Sequence, residues 1–425
     1  MVKPRSLYLV NPPSPPEGVA NREGASGLGA LDRRSNPFLY PPHLLATLAA
    51  AAQGAGWRAH LLDAAGSGWD IQETLAHLSN DEVPVVVQVS YASHQADGDF
   101  LRLLRLERPR AWVLVVGSPA RALAEEWQAE GLADAFLLGE PEGAFVAALA
   151  CRERGEVGIL TPSQLNLSGY DADGRLTNLD ALPYPAWEHI NQERYGFLSI
   201  LSSRGCPDGC LYCPYAVAQG TSFRAQSPLR TVEEMDWLTR THRPARIVFR
   251  DPVFARDRAR VQALCSELRA RNVRIPWECE SRPEHFDAEL LREMRFAGCD
   301  TVKIGLETVD PALLVALRRV ANPEAAGAYV ARVADLVRQC RNLGITCRVF
   351  VMAGLPGQSE AAIAATGQFL RDLRPDAVHV KPFQWYPGLG LESPRADGEA
   401  QAAALRRAAQ PPLPLWRRLW QRLLG

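Results

Sequence analysis

Twice along its length the chain sets short, nearly continuous apolar runs between amphipathic segments, and that rhythm restricts the folds open to it. A strand that is apolar at every position is buried on both faces, as in parallel sheets covered by helices. In residues 1–150 the runs are "SLYLV" (6–10), "RAHLLD" (58–63), "VPVVVQVS" (83–90), "AWVLVVG" (111–117) and "DAFLLG" (134–139). Helical patterns over 43–55, 97–106 and 120–130 fill the gaps. The alternation predicts an α/β, doubly wound (Rossmann-like) domain. No G-x-G-x-x-G follows the first run. "NPPSPPEG" stands there instead, too rich in proline to offer a helix N-terminus to phosphate, which argues against an ordinary dinucleotide site.

The second alternation begins near residue 196. Its strand candidates are 196–202, 246–251, 275–280, 301–307, 346–354 and 377–383, with helical segments between them at roughly 257–271, 287–297, 324–343 and 359–373. Another helix is expected to start at Thr231, where Glu234 completes a capping box. Six β/α units fall short of the eight that close a full barrel, so a partial (β/α)6 barrel over 196–390 is predicted. Between the two halves, 151–195 is rich in Gly, Pro, Asn and Asp and reads as a linker with room for a hairpin. Trp187 at its end would be costly to leave bare, so this stretch is expected to lie against a domain. The tail 391–425 ends in a short amphipathic helix with Leu415, Trp416, Leu419, Trp420, Leu423 and Leu424 on one face. It is expected to dock on its own domain, with a partner or membrane-surface contact as the sharper alternative.

With 47 Lys and Arg against 48 Asp and Glu, the net charge is −1, which argues against nucleic-acid partners. The first residues break at prolines after a short apolar run, so no secretory signal is expected, and no run is long enough for a transmembrane segment. Six of the nine cysteines are scattered singly, as buried thiols in a reducing, cytoplasmic setting would be.

The other three stand at C-x3-C-x2-C in "SSRGCPDGCLYCPY": Cys206, Cys210 and Cys213. They follow the first strand of the second alternation, at the rim where β/α folds bind ligands. Thiolates so spaced suit zinc or an iron–sulfur cluster. A structural zinc would need a fourth ligand from Cys265, His189 or His242, none at motif spacing. A cubane held by three cysteines leaves one iron open for a substrate, and the pattern favours that reading. Gly205, Gly209 and Pro207 allow the chain to wrap closely round such a group.

This loop, with Tyr212 before its last cysteine, resembles the radical S-adenosylmethionine (SAM) enzymes, whose open iron chelates SAM and whose cluster cleaves it to a 5′-deoxyadenosyl radical. Further segments resemble the same family. "FRDPVF" implies that Asp251 faces the SAM amino group, and "ESRPEHF" that Arg282 pairs with the SAM carboxylate. "KIGLET" implies Glu307 towards the ribose or substrate, while "MAGLPGQSE" and "WYPGLG" match the last strand ends. "FRAQSP" resembles an Arg-x-Arg-Ser-Pro element in which Arg224 matches and Gln226 replaces the second arginine.

The N-terminal half is similar to the cobalamin-binding domain that precedes the barrel in one large subgroup. "LVNPP", "VGSPA" and "LLGEPEGAF" carry the resemblance, which spans about residues 6–390. It implies that Asn11, Ser90 to His94, Gly117 and Gly139 to Glu142, with Glu140 among them, line the corrin. Ser118 and Pro141 depart from the subgroup's glycine and Gly-Glu-Gly-Glu patterns, and the D-x-H-x-x-G histidine is absent. The resemblance places the loop after the third strand beneath cobalt, so His94 or Tyr91 is the expected tuning residue there, with a solvated loop histidine at the start of a helix as the alternative.

The expected cofactors are a [4Fe-4S] cluster, SAM and cobalamin. The expected activity is methylation of an unactivated carbon on a small-molecule or peptide substrate, through methylcobalamin, with flavodoxin or ferredoxin as electron donor. The alternatives are a non-methylating cyclase, rearrangement or oxidative enzyme of the same family, or a non-catalytic cobalamin-binding regulator. A methylthiotransferase would carry further cluster cysteines in residues 1–150, which contain none. No catalytic side chain beyond the cofactor contacts is singled out.

Overall fold

The computed structural model describes residues 5–33, 38–78, 83–117, 120–391 and 398–410. Its contacts divide the chain into two units, one of Met1–Pro207, Pro214–Cys279 and Tyr386–Gly388, the other of Asp208–Cys213, Glu280–Trp385 and Leu389–Gly425.

The first unit opens with β1 (Ser6–Asn11), a short antiparallel hairpin of β2 (Val19–Asn21) and β3 (Ala30–Asp32), and then β4 (Arg58–Asp63). It continues with β5 (Val85–Gln88), β6 (Val113–Val116), β7 (Ala135–Leu137) and β8 (Gly158–Leu160). These give a parallel sheet in the order β4-β1-β5-β6-β7-β8. Leu9 pairs with Leu61 on one side and Val86 on the other. Every residue of β5, β6 and β7 is buried, which is why their sequences are apolar but for Gln88 at the end of β5. The order reverses between β1 and β5, so the loops after Asn11 and Gln88 flank the switch point where doubly wound sheets bind ligands. β8 comes from the stretch read as a linker. Three residues, the first of them a glycine, carry too little periodicity to be seen in sequence. A bridge joins Tyr170 to Leu176 in the same stretch, and Trp187 is fully buried with its ring 5.6 Å from that of His43.

The same unit holds β9 (Leu198–Ile200), a two-residue antiparallel ribbon of β10 (Ser203–Arg204) and β11 (Arg224–Ala225), β12 (Ile247–Phe249) and the start of β13 (Trp277–Ser281). β12 lies parallel between β9 and β13. The helix expected from Thr231 begins earlier, at Pro228. Ser227 caps it through Arg230 N–H, and a proline already set for the first turn wins over the later capping box. Thr231 lies within that first turn and donates back to Ser227 O.

The second unit takes up β13 and adds β14 (Cys299–Glu307), β15 (Thr346–Ala353) and β16 (Ala377–Pro382). Since β13 is continuous, the second sheet reads β16-β15-β14-β13-β12-β9, the sequential order of a partial (β/α)6 barrel. A helix at Gly398–Ala409 follows. The tail helix expected over 411–425 and Ser118 lie outside the described residues. Among the described residues no helix is long and apolar enough to cross a membrane.

Candidate functional site

In the second unit the cysteine loop meets two guanidinium groups. Leu211 N–H donates to Leu317 O at 3.1 Å, and Cys213 N–H to Cys210 O at 3.2 Å. Tyr212 packs with Leu313, Leu317, Leu355 and Phe383, and Cys210 and Cys213 lie against that apolar cluster. Arg282 Nη1 is 3.7 Å from Cys210 Sγ, and Arg319 Nη1 is 4.0 Å from it. Arg282 also donates to Arg319 O at 2.9 Å and pairs with Glu284 at 2.8 Å.

Tyr212 donates its hydroxyl to Glu307 Oε1 at 3.0 Å. Glu307 sits where the β14 register shifts, at φ +63°, a left-handed conformation that few non-glycine residues adopt. Such a bulge re-aims a side chain, and strain of this kind gathers at functional sites. Burial raises the Glu307 carboxyl above its usual range, and Arg319 opposes the rise. Arg319 is held by Tyr329 Oη at 2.7 Å and Gly305 O at 3.1 Å. It stands twelve residues beyond the end of β14 and has no sequence signal of its own; only the fold brings it to Cys210.

The remaining expected residues lie in the first unit. Cys206 N–H donates to Gly220 O at 3.0 Å, closing the neck of the cysteine loop. Asp251 accepts from Ser202 N–H at 2.8 Å and from the hydroxyls of Ser202 and Ser203 at 2.7 and 2.6 Å. Its position is therefore built into the turn that leads to the loop. Burial raises its carboxyl, with Arg260 acting against the rise.

Asn11 donates to Asp63 at 2.8 Å and accepts from Arg22 at 3.1 Å. Arg22, itself buried, also holds Pro12 O, Pro13 O and Asp97, while Asp97 accepts from Ser90 N–H and Ser93 Oγ at 2.9 Å each. Asn11 and Ser90 are thus bound into one buried network that fixes the loops at the switch point. His94 Nδ1 is 2.7 Å from Tyr91 O, and its ring stacks on that of Tyr91.

A cavity lies at the carboxyl ends of β5, β6 and β7, lined by Gln88, Gly117 and Gly139 to Glu142. Glu23, His43, Arg204 and Arg250 also line it; Arg204 and Arg250 fall inside "SSRGCPDGCLYCPY" and "FRDPVF", but the sequence singles out none of the four. Gly117, at φ +125°, passes so close to β5 that a Cβ there would stand 2.5 Å from Val89 O. Glu23 joins the far ends of this wall, accepting from Leu44 N–H and Gln88 Nε2 at 3.0 Å each and pairing with Arg250. Arg224 forms a fork on Glu140, with both bonds at 2.8 Å.

Burial pushes the His43 imidazole from 6.5 down to about 4; Glu23 opposes this, and Arg250 and Arg204 add to it. The unfolded imidazole therefore takes up its proton first as pH falls. The stability held by neutral His43 is complete above its unfolded pKa and is lost between about 6.5 and about 4. The loss is on the order of 3 kcal/mol. Urea unfolding at pH 7 and pH 5 should show His43→Gln losing less stability than wild type; equal losses would refute this.

Residues 200–370 match the family model described as the radical SAM superfamily. An uncharacterised methyltransferase of Pyrococcus horikoshii is 24% identical over 251 residues, 58% of this chain and 51% of its own length. The cytidylyl-2-hydroxyethylphosphonate methyltransferase of Streptomyces wedmorensis is 24% identical over 388 residues, 77% of this chain and 71% of its own. The chain thus spans about half of the first relative. Among solved structures, the radical SAM methyltransferase TsrM of Kitasatospora setae, with cobalamin and a [4Fe-4S] cluster bound, gives a TM-score of 0.63 at 19% identity. That match covers 89% of this chain and 75% of TsrM, and shows a shared fold.

Proposed function

We propose, for a chain that carries a radical SAM domain behind a doubly wound domain, that it is a cobalamin-dependent radical SAM enzyme methylating an unactivated carbon. The cavity rimmed by Gly117 and Gly139 to Glu142 carries this reading. Gln88 Oε1 and Glu142 Oε2 are buried acceptors without partners, and Arg204 Nε is a buried donor without one. Such atoms suit a ligand edged with amide groups, as a corrin is.

Cys206, Cys210 and Cys213 would hold the cluster. Among the described residues no three or more His, Cys, Asp or Glu side chains are gathered as for a single metal ion. A cubane asks for something different, because each thiolate binds its own iron and the sulfurs stay apart. When bound, the cluster and SAM supply a hydrogen-abstracting radical, and cobalamin carries the methyl group. Arg282 and Arg319 place positive charge beside Cys210, where thiolates and cluster sulfides would concentrate negative charge, and Arg282 offers a planar fork to the SAM carboxylate. The apolar wall of Tyr212, Leu313, Leu317, Leu355 and Phe383 keeps water from that side.

The reading implies a small-molecule or peptide substrate and a flavodoxin or ferredoxin in the cytoplasm. Protein reconstituted anaerobically and given reductant and SAM should form S-adenosylhomocysteine in proportion to added cobalamin, together with 5′-deoxyadenosine. Formation of 5′-deoxyadenosine alone would overturn methylation.

A further inference from the structure

Within the first unit, the loop after β7 and the ribbon from which the cysteine loop springs are tied by a buried quartet of charges. Glu140 and Glu142 come from the loop after β7, Arg204 from β10 and Arg224 from β11. Arg204 reaches Glu142 at 2.7 Å and Glu140 at 3.2 Å, and Arg224 forks onto Glu140. Arg204 and Arg224 are paired residues of the ribbon, directly across from one another. Every cluster cysteine lies between them in sequence, and Cys206 is two residues beyond Arg204. The ribbon has only two paired positions, too few to hold its shape unaided. Several of its other supports belong to the same network. Arg224 donates to Leu176 O and Gln219 O, Glu140 accepts from Leu176 N–H, and Gln219 Oε1 accepts from Gly205 N–H.

The quartet is also unfinished. Glu142 Oε2, Arg204 Nε and Arg224 Nε are buried without partners, and Glu140, Glu142 and Arg204 line the cavity. A ligand entering the cavity completes these atoms or redistributes their bonds, and either change is felt at the ribbon. A buried ion network with unpaired atoms is costly, so it responds strongly to whatever completes it.

We propose that Glu140, Glu142, Arg204 and Arg224 are positioning residues that couple cobalamin binding to the cysteine loop, so that each cofactor changes the affinity for the other. This rests on the cobalamin and cluster reading given above. It assigns Arg224 to holding the ribbon rather than to contacting SAM. Coupling of this kind is reciprocal and amounts to about 5- to 150-fold in affinity.

The test measures cobalamin affinity by equilibrium dialysis on full-length protein, with and without the reconstituted cluster. Wild type should show at least a roughly fivefold difference between the two states. Glu142→Gln keeps the side-chain shape but removes the charge, and should bring the ratio close to one while both cofactors still bind. If Glu142→Gln does not fold, Arg224→Lys makes the same comparison, since lysine keeps the charge but not the fork. Glu156→Gln, which breaks an exposed pair with Arg154, should leave the ratio unchanged. A wild-type ratio of one, or a full ratio in the quartet variants, overturns the coupling and leaves the function standing. Absence of cobalamin binding in cluster-loaded wild type overturns the function and the coupling with it.

Discussion

Cys210→Ala should give a folded chain that holds almost no iron. Three thiolates are the whole protein contribution to a site-open cubane, and loss of one leaves two irons without a protein ligand. Cys210 is the most telling of the three to remove, because Arg282 and Arg319 both approach its sulfur, at 3.7 and 4.0 Å. Neither arginine depends on that sulfur for its place. Arg282 keeps Glu284 and Arg319 O, and Arg319 keeps Tyr329 and Gly305 O. The variant should therefore unfold within about 1 kcal/mol of cluster-free wild type. After anaerobic reconstitution, iron should fall from about four per chain to nearly none. Radical products should vanish with it, while cobalamin binding persists. Cys299→Ala is the control. That thiol is buried, with its sulfur 3.6 Å from Thr301 O, and its loss should cost stability but not iron. Full iron in Cys210→Ala would remove this loop from the cofactor site and end the radical reading.

The parts of this site legible in sequence are those encoded by neighbours in the chain. The strand at 58–63 can be read because Ala59 and Leu61 to Asp63 are buried within one short run, and β4 has those bounds. The same locality marks C-x3-C-x2-C and its glycines. Arg282, one residue past the end of β13, could be expected near the cysteines because strand ends in such folds share a rim. Arg319, Arg204, Glu23 and His43 could not. Each acts through partners far along the chain, as when Arg250 pairs with Glu23 from 227 positions away. Burial of a charged residue leaves no periodic trace when its neutralising partner is that remote. Asp251 and Arg224 show a second limit. A motif names a residue but not what holds it, and here the holders are Ser202, Ser203 and Glu140. The start at Pro228 shows a third, since two valid capping signals stand close together and only packing chooses between them.

Gly205→Ala should damage the cysteine loop far more than its size suggests. Gly205 has φ +81°, where an alanine is strained by roughly 1–2 kcal/mol. Its new Cβ would stand 2.0 Å from Ser222 O and 2.9 Å from the carbonyl carbon, both of them backbone. A flexible side chain could swing away from such a contact, but a carbonyl between β11 and Gly220 can move only by opening the neck of the loop. That neck is closed by Cys206 N–H to Gly220 O at 3.0 Å and by Gly205 N–H to Gln219 Oε1 at 3.2 Å. Losing both bonds, on top of the strain, brings the local cost to about 4 kcal/mol. The doubly wound sheet is untouched, so cobalamin binding should survive at reduced affinity while iron content falls several-fold. Gly209→Ala isolates the cause. Gly209 also has positive φ, +67°, but a Cβ added there would meet nothing within 4 Å, so it suffers strain without collision. Iron near the wild-type level in Gly209→Ala and far below it in Gly205→Ala would place the requirement in the neck rather than in the freedom of the loop. Equal iron in the two variants would show that the ribbon does not shape the site. The distinction matters because the same neck carries Arg204 and Arg224, so a loop that loads iron with its neck open would need no quartet to hold it.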